Sequence, residues 1–596
     1  MGNYDKNTEH TISFADAVRL APVIFFVSVI FLLVGLHIYT MPVSQFPYLS
    51  GGDNTPMFDT MAYVKMVAII ATSCVAAALF AYYVITGKRT VRRTRIYFPI
   101  LVYALSIVIS YAFSDYKQFA LWGTFDRFEG TLVHLCYLFM MFYAINCVDG
   151  EKELKIIVDT LFAGVTIACL IGLTQFLGHD FFSDGLGKMI VLGRYAGELD
   201  LHVGDGGVYQ TVYNMNYVAF YLCLVTPILI CRIIDMLSEK NFTPGRIAYT
   251  AWLFALLILT GVNIVGASSV GSVPGLAFSV ISIVIFRLSK IHSIRKVAVV
   301  LAAYAAVAIL ASTGAFGVRF SPFIHTSSDI PPFDILSMHD NMVEISVNGN
   351  TIIAEYGEEE GGFSVRNEAG QEYTLFTDPD EEYRYGFDND ALRDIVAFTP
   401  FMQEGRVFAE FDINGERFAF EFTPQGPVYI NASGKPETIA NAEHAGVFKN
   451  YSFGSGRGYI WDTALPLIRH FVVCGAGADT FMFVFPHNDY ITRYNNGLWT
   501  GALYDKPHNM YIQIAISFGL IALLSFIGIM VSSFVDVIKC FKSGEITSLT
   551  VSVFVGIIAF LMSSLVNDSS VSVMPMFYGL LGTAVACCAN PTPDKQ

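Results

Sequence analysis

The chain reads as an α-helical polytopic membrane protein of about twelve transmembrane helices with an inserted extracytoplasmic antiparallel β domain, and three observations predict it. Of 596 residues, 54% are hydrophobic and only 15% are charged, far from a soluble composition. The apolar residues come in blocks of roughly 17 to 25, enough to cross about 30 Å of hydrocarbon. Between the ninth and tenth blocks the pattern changes to alternation with period two, the mark of strands.

The blocks lie at 19–40, 63–86, 97–113, 130–147 and 155–177, then 213–235, 248–266, 270–287 and 297–315, and finally 510–535, 548–566 and 573–589. Each is expected to be a helix, because a span must satisfy its own backbone hydrogen bonds in lipid. The first follows an acidic N-terminus (Asp5, Glu9, Asp16) with no small-residue cleavage site, so it reads as a retained span. Lys88, Arg89, Arg92, Arg93 and Arg95 follow the second span, and Arg287, Lys290, Arg295 and Lys296 the eighth. The positive-inside rule puts both loops, and both termini, in the cytoplasm of a plasma-membrane protein. Loops 41–62, 114–129, 178–212 and 316–509 then face outward.

The segments 1–315 and 510–596 are thus the membrane part, and 316–455 an acidic β domain. Two dozen acidic and eight basic residues in 316–455 account for the net charge of −15, a balance that excludes nucleic acid as a partner. Asn348-Gly349 and Asn414-Gly415 each lie between alternating runs and predict two-residue hairpins, since both turn residues must tolerate positive φ. Residues 456–509 follow as an amphipathic surface helix, with Ile460, Ala464, Leu465, Ile468 and Phe471 at helical spacing, and an ordered Asn-, Tyr- and Gly-rich loop.

The ten cysteines are scattered, mostly inside apolar blocks, with no disulfide framework or CxxC spacing. Walker loops, H-E-x-x-H and G-x-S-x-G elbows are absent from the sequence. What stands out is a set of polar groups at the outer edge of the bundle. His508 opens an apolar run, and histidine is the side chain suited to take a proton or hydrogen-bond a phosphate at physiological pH. Arg457 offers a planar, permanently charged fork for phosphate oxygens. Arg127, Arg194, Arg493 and Lys506 are further outer cations, each with a carboxylate nearby in sequence (Glu129, Glu198, Asp489, Asp505) that an ordinary salt bridge would use. Asn214 and Asn216 stand at a span entrance, where they would hold sugar hydroxyls or cap the helix. Trp461 and Tyr511 read as interfacial anchors.

In order along the chain, GRGYIW, PLI, GAGADTFMFVFP, NDY and KPHNMYIQIAISFGLIAL resemble the C-terminal signature of the O-antigen ligase and O-antigen polymerase superfamily. YQTVYNMNYVAFYL at 209–222 and ALWGTFDRFEGTL at 120–132 resemble its Asn-x-Asn segment and its Arg-x-Glu-Gly outer loop. The resemblance implies a membrane glycosyltransferase of GT-C type. It would act on an undecaprenyl-pyrophosphate-linked oligosaccharide as donor, with a glycan, lipid or protein acceptor, and need neither metal nor other cofactor. His508 would be essential, as base or as partner of the pyrophosphate, and Arg457 would stabilise the leaving group. Where relatives carry two further arginines, this chain has Gly206-Gly207-Val208 and Ser268-Ser269-Val270, so other cations, Arg194 among them, would have to serve. A lipid-linked glycan transporter or flippase, and a non-catalytic scaffold, remain the competing classes; a transporter is expected to carry charges at mid-membrane.

Overall fold

The computed structural model describes residues 13–201, 207–238, 243–269, 330–357, 361–377 and 383–589, apart from positions 42, 44–45, 47, 50 and 52, together with isolated positions between 275 and 283. The expected spans at 270–287 and 297–315, and the basic stretch Arg287 to Lys296, lie outside the described residues but for those few positions.

The membrane part begins with helices α1 (Phe14–Ser28), α2 (Tyr63–Ile85), α3 (Tyr97–Phe113), α4 (Lys117–Trp122), α5 (Thr131–Cys147) and α6 (Glu151–Phe176). It continues with α7 (Gly185–Leu192), α8 (Met215–Ser238) and α9 (Pro244–Gly266). Beyond the β domain come α10 (Phe453–Leu467), α11 (Phe481–Val484), α12 (Tyr490–Asn495), α13 (Met510–Phe518), α14 (Leu520–Ser543), α15 (Ser548–Ser563) and α16 (Met574–Ala589). Among the described residues, five helices (α2, α6, α8, α9 and α14) are long and apolar enough to cross a membrane, and α3, α5, α15 and α16 are apolar but of 10–17 residues.

Two blocks differ from their expected form. The block 19–40 is helical only to Ser28, tightens at Ile30–Leu32, and ends in strand β1 (His37–Thr40), which pairs with β2 (Pro56–Asp59). There the backbone finds partners in neighbouring loops, with Gly35 N–H donating to Thr60 O and Leu36 N–H to Val191 O, so the helix can end without orphaned groups. The block 510–535 breaks at Gly519, where φ is +95°; a Cβ there would stand 3.0 Å from Val473 O. The break separates a short helix carrying site loops from a long span.

Helix α8 is the centre of the bundle, with 94% of its apolar window buried. It packs on α15, where Phe220 and Phe560 stack at 4.1 Å and Gly556 lets the two backbones approach, since a Cβ would meet Leu224 O at 2.4 Å. At one end of the bundle, Arg89 and Arg92 donate to the carbonyls of Asn146, Ile145 and Val148 and pair with Asp149. These cations complement the C-terminal end of α5.

The opposite end carries the β domain. It contains a four-stranded meander, β3 (Phe333–His339), β4 (Met342–Val347), β5 (Asn350–Gly357) and β6 (Gly362–Arg366). A seven-stranded meander follows: β7 (Leu375–Thr377), β8 (Tyr385–Phe387), β9 (Val396–Gln403), β10 (Arg406–Ile413), β11 (Glu416–Thr423), β12 (Gly426–Ile430) and β13 (Pro436–Glu437). Both Asn-Gly turns form where the sequence predicts them: Val347 pairs with Asn350 and Ile413 with Glu416, with all four turn residues at φ between 50° and 86°. A shared core of Phe333, Val343, Ile345, Phe411, Phe418 and Phe420 takes in Tyr490 and Tyr494 of α12, so the domain packs on the segment that leads to His508.

Candidate active site

At the end of the bundle that bears the β domain, loops from four parts of the chain converge on Asp568, in the turn between α15 and α16. Its buried carboxylate accepts from the His508 ring at Nδ1 (3.0 Å) and from the backbone N–H of Asn509 (3.1 Å). His508 adopts φ +50°, a left-handed turn made just before Asn509 caps α13 by accepting from the N–H groups of Tyr511 and Ile512. Trp461 clamps the same loop by donating its indole N–H to Pro507 O at 2.8 Å, and the Tyr511 hydroxyl donates to Leu561 O at 2.7 Å. Both aromatics serve as bolts for this loop.

The expected cations gather here in unequal ways. Lys506 pairs with Asp505 at 3.2 Å and lies over the ring of Tyr217, 5.6 Å from its centroid. Burial works against its charge, but Asp505, Tyr217 and Asp568 outweigh it and raise its pKa. Arg127 is held by Asp479, which also accepts from the N–H and hydroxyl of Thr124, and stands 3.7 Å from Glu129. Arg457 follows three left-handed residues, Gly454, Ser455 and Gly456. Its guanidinium donates to Gly454 O at 2.7 Å and keeps a buried Nε without a partner. Among the described residues it forms no ion pair. Burial lowers its pKa, and Asp568 acts in the opposite direction.

For Asp568 itself burial would raise the pKa, yet His508, Lys506 and Arg127 prevail and hold it below the ordinary carboxylate range. One buried carboxylate thus gathers Arg127, Lys506 and His508, with Arg457 in its field. Glu129 secures the neighbouring position: it accepts from Ser569 Oγ at 2.6 Å and from the Tyr137 hydroxyl at 2.9 Å. Burial raises its pKa to about 7 against the charge of Arg127.

The other expected residues stand elsewhere or do other work. Arg493 is buried, donates to the carbonyls of His487, Thr500 and Ala502, and braces the loop ahead of Lys506. Arg194 is exposed beside α7, against the ring and hydroxyl of its neighbour Tyr195. Asn214 accepts from the Asn216 N–H at 2.8 Å at the start of α8, in capping geometry, while Asn216 accepts from Ser269 Oγ at 2.8 Å. Helix α10 is buried on much of its surface through Tyr459, Ile460, Trp461 and Ala464.

Asp568 is a residue that motif and spacing did not single out. It carried a signal nonetheless, as the one charged residue between Glu545 and Asp594; an ionisable group isolated among apolar residues asks for a partner. Asp479, inside the GAGADT segment, and Asp126, beside Arg127, likewise emerge only from the structure.

The O-antigen ligase family model (Wzy_C) matches residues 425–527, a segment that holds Arg457, Arg493, Lys506 and His508. No curated protein and no solved structure matches the chain. The match indicates glycosyl transfer in cell-surface polysaccharide biosynthesis and a membrane setting.

Proposed function

The chain carries an O-antigen ligase domain, and from this we propose that it transfers or polymerises an oligosaccharide linked to undecaprenyl pyrophosphate at the outer face of the cytoplasmic membrane. The observation that supports this reading best is Arg457, a largely enclosed guanidinium with no carboxylate partner among the described residues, in the field of the same Asp568 that binds His508. An unpaired enclosed charge is costly, and an anionic substrate group is what would compensate it. A diphosphate seated there would meet Arg457, Lys506 and the imidazole of His508, whose orientation Asp568 fixes. These groups would stabilise negative charge as the anomeric C–O bond to phosphate breaks. Arg127 adds positive charge from behind, and Asn214 and Asn216 lie at the mouth of α8, where sugar hydroxyls would pass. Arg493 serves the loop, and Arg194 stands apart.

The test is reconstitution in liposomes with a lipid-linked oligosaccharide pool. Wild type should give an elongated or transferred glycan. A folded His508→Ala protein should lose about 100- to 10,000-fold in rate, the usual range for a group acting on a proton or developing charge. Equal rates in both would remove His508 from the mechanism. The acceptor end of the product separates ligase from polymerase.

A further inference from the structure

The loop between α4 and α5 winds through left-handed conformations at Gly123, Asp126 and Phe128, with φ of 97°, 59° and 49°. Strain of this kind persists where the surroundings impose it, often at functional sites. Three of the four side chains from 126 to 129 turn inward. Arg127 goes to Asp479, Phe128 packs edge-on against His37, Tyr39 and Tyr63 at 5.3 to 6.0 Å, and Glu129 takes Ser569. Asp126 alone of the four is exposed.

Every other carboxylate around the site is engaged. Asp568 holds His508, Asp479 holds Arg127, Glu129 holds Ser569, Asp505 holds Lys506, and Asp59 caps α2 through the N–H groups of Ala62 and Tyr63. Among the described residues Asp126 makes no hydrogen bond and no ion pair. Tyr213 is likewise exposed and left-handed, with φ 70° and 45% of its surface accessible. Asp126 is the group that acts most strongly on the Tyr213 phenol, and Lys506 acts on both. Lys506 lies over the ring of Tyr217, four residues on from Tyr213, and Glu129 ties the loop of Asp126 to Ser569, next to Asp568. A cationic wall of Arg457, Lys506 and His508 and an unpaired carboxylate with a phenol therefore belong to one site, and the latter pair repel a diphosphate but suit the hydroxyls of a neutral sugar.

Resting on the glycosyl-transfer reading above, we propose that Asp126 and Tyr213 bind the acceptor sugar and that the Asp126 carboxylate is the catalytic base. The acceptor hydroxyl oxygen forms a bond to the anomeric carbon of the donor, and its proton passes to Asp126. The anomeric C–O bond to phosphate breaks, and the lipid diphosphate departs with the electron pair onto the cationic wall. The surroundings suit a base. Loss of surrounding water first, then the charge of Asp59, raise the Asp126 pKa to about 6, with Lys506 opposing and Asp505 adding to the rise. Tyr39, Tyr63, Tyr213 and His37 are further ionisable groups on this side, and burial lowers the pKa of His37 against the charge of Asp59. A base is most effective with a pKa near the working pH.

The experiment measures initial transfer rates in proteoliposomes from about pH 5 to about pH 8 for wild type, Asp126→Asn, Asp126→Glu and Tyr213→Phe. Wild-type kcat should rise through an apparent pKa of about 6 as the carboxylate ionises. Asp126→Asn should lose at least ~100-fold in kcat, with donor KM within ~3-fold and no acidic limb. Asp126→Glu should regain part of that loss, and Tyr213→Phe should raise acceptor KM more than it lowers kcat. An Asp126→Asn protein within ~3-fold of wild-type kcat, or one that keeps the acidic limb, overturns the assignment while leaving glycosyl transfer intact. Absence of transfer by wild type with bound donor overturns the glycosyl-transfer reading and this assignment with it.

Discussion

At the residue scale, the site is organised by which charges have partners. Arg127 and Arg457 look alike in sequence, yet one is committed to Asp479 and Glu129 and the other has no carboxylate partner among the described residues. Arg127→Ala would strand a buried carboxylate, a loss of about 3–5 kcal/mol, and should yield little folded protein on size-exclusion chromatography. Arg457→Ala should fold with a thermal midpoint close to wild type and bind the lipid-linked donor at least ~10-fold more weakly, because a phosphate contact of this kind contributes about 1.5–3 kcal/mol. Asp568 is a positioning residue. Asp568→Asn should lower kcat by about 10- to 100-fold, less than His508→Ala, since the amide still accepts from Asn509 but holds the ring less firmly than a carboxylate does. An Asp568→Asn rate equal to wild type would show that His508 needs no such support. His508, Arg457 and Lys506 were legible because each stands in a motif with a chemical rationale. Asp568 was not, because its partner is 60 residues distant.

At the element scale, legibility followed how local the determinant was. The turns at Asn348-Gly349 and Asn414-Gly415 require two consecutive left-handed residues, a demand written in two adjacent letters. Replacing Asn348-Gly349 with Ala-Ala should cost about 1–2 kcal/mol per residue and be seen as faster proteolytic cutting near residue 348 while the helical part stays intact. The breaks in the first and tenth apolar blocks were not legible, because hydropathy scores composition and is blind to where the backbone finds other partners. Gly519 is the exception that offered a hint. Its φ of +95° and its closeness to Val473 O predict that Gly519→Val lowers the thermal midpoint, with a cost of about 1–3 kcal/mol, and an unchanged midpoint would mean that α13 and α14 tolerate a continuous helix.

At the scale of the whole molecule, the β domain and the site are mechanically joined. The core of the domain includes Tyr490 and Tyr494, Asn495 exchanges hydrogen bonds with the Phe333 backbone at 2.8 Å, and Thr500 donates to Glu416 at 2.6 Å. The chain from 490 to 508 therefore runs from the domain core to His508. Phe418, fully buried with its ring 4.4 Å from Phe333 and 5.7 Å from Tyr494, is far in sequence from the site. Phe418→Ala should cost about 3–5 kcal/mol, and proteolysis of the β domain and loss of transfer should rise together. Full activity in a protein whose β domain is cut would separate the two. The helical membrane character, the inserted β domain and its two hairpins followed from the sequence alone, because burial patterns and turn chemistry are local and additive along the chain. Which cation lacks a carboxylate among the described residues, which carboxylate orients His508 and which side chain is left exposed at the site came only with the folded arrangement, because each depends on groups that folding brings together from 60 to several hundred residues apart.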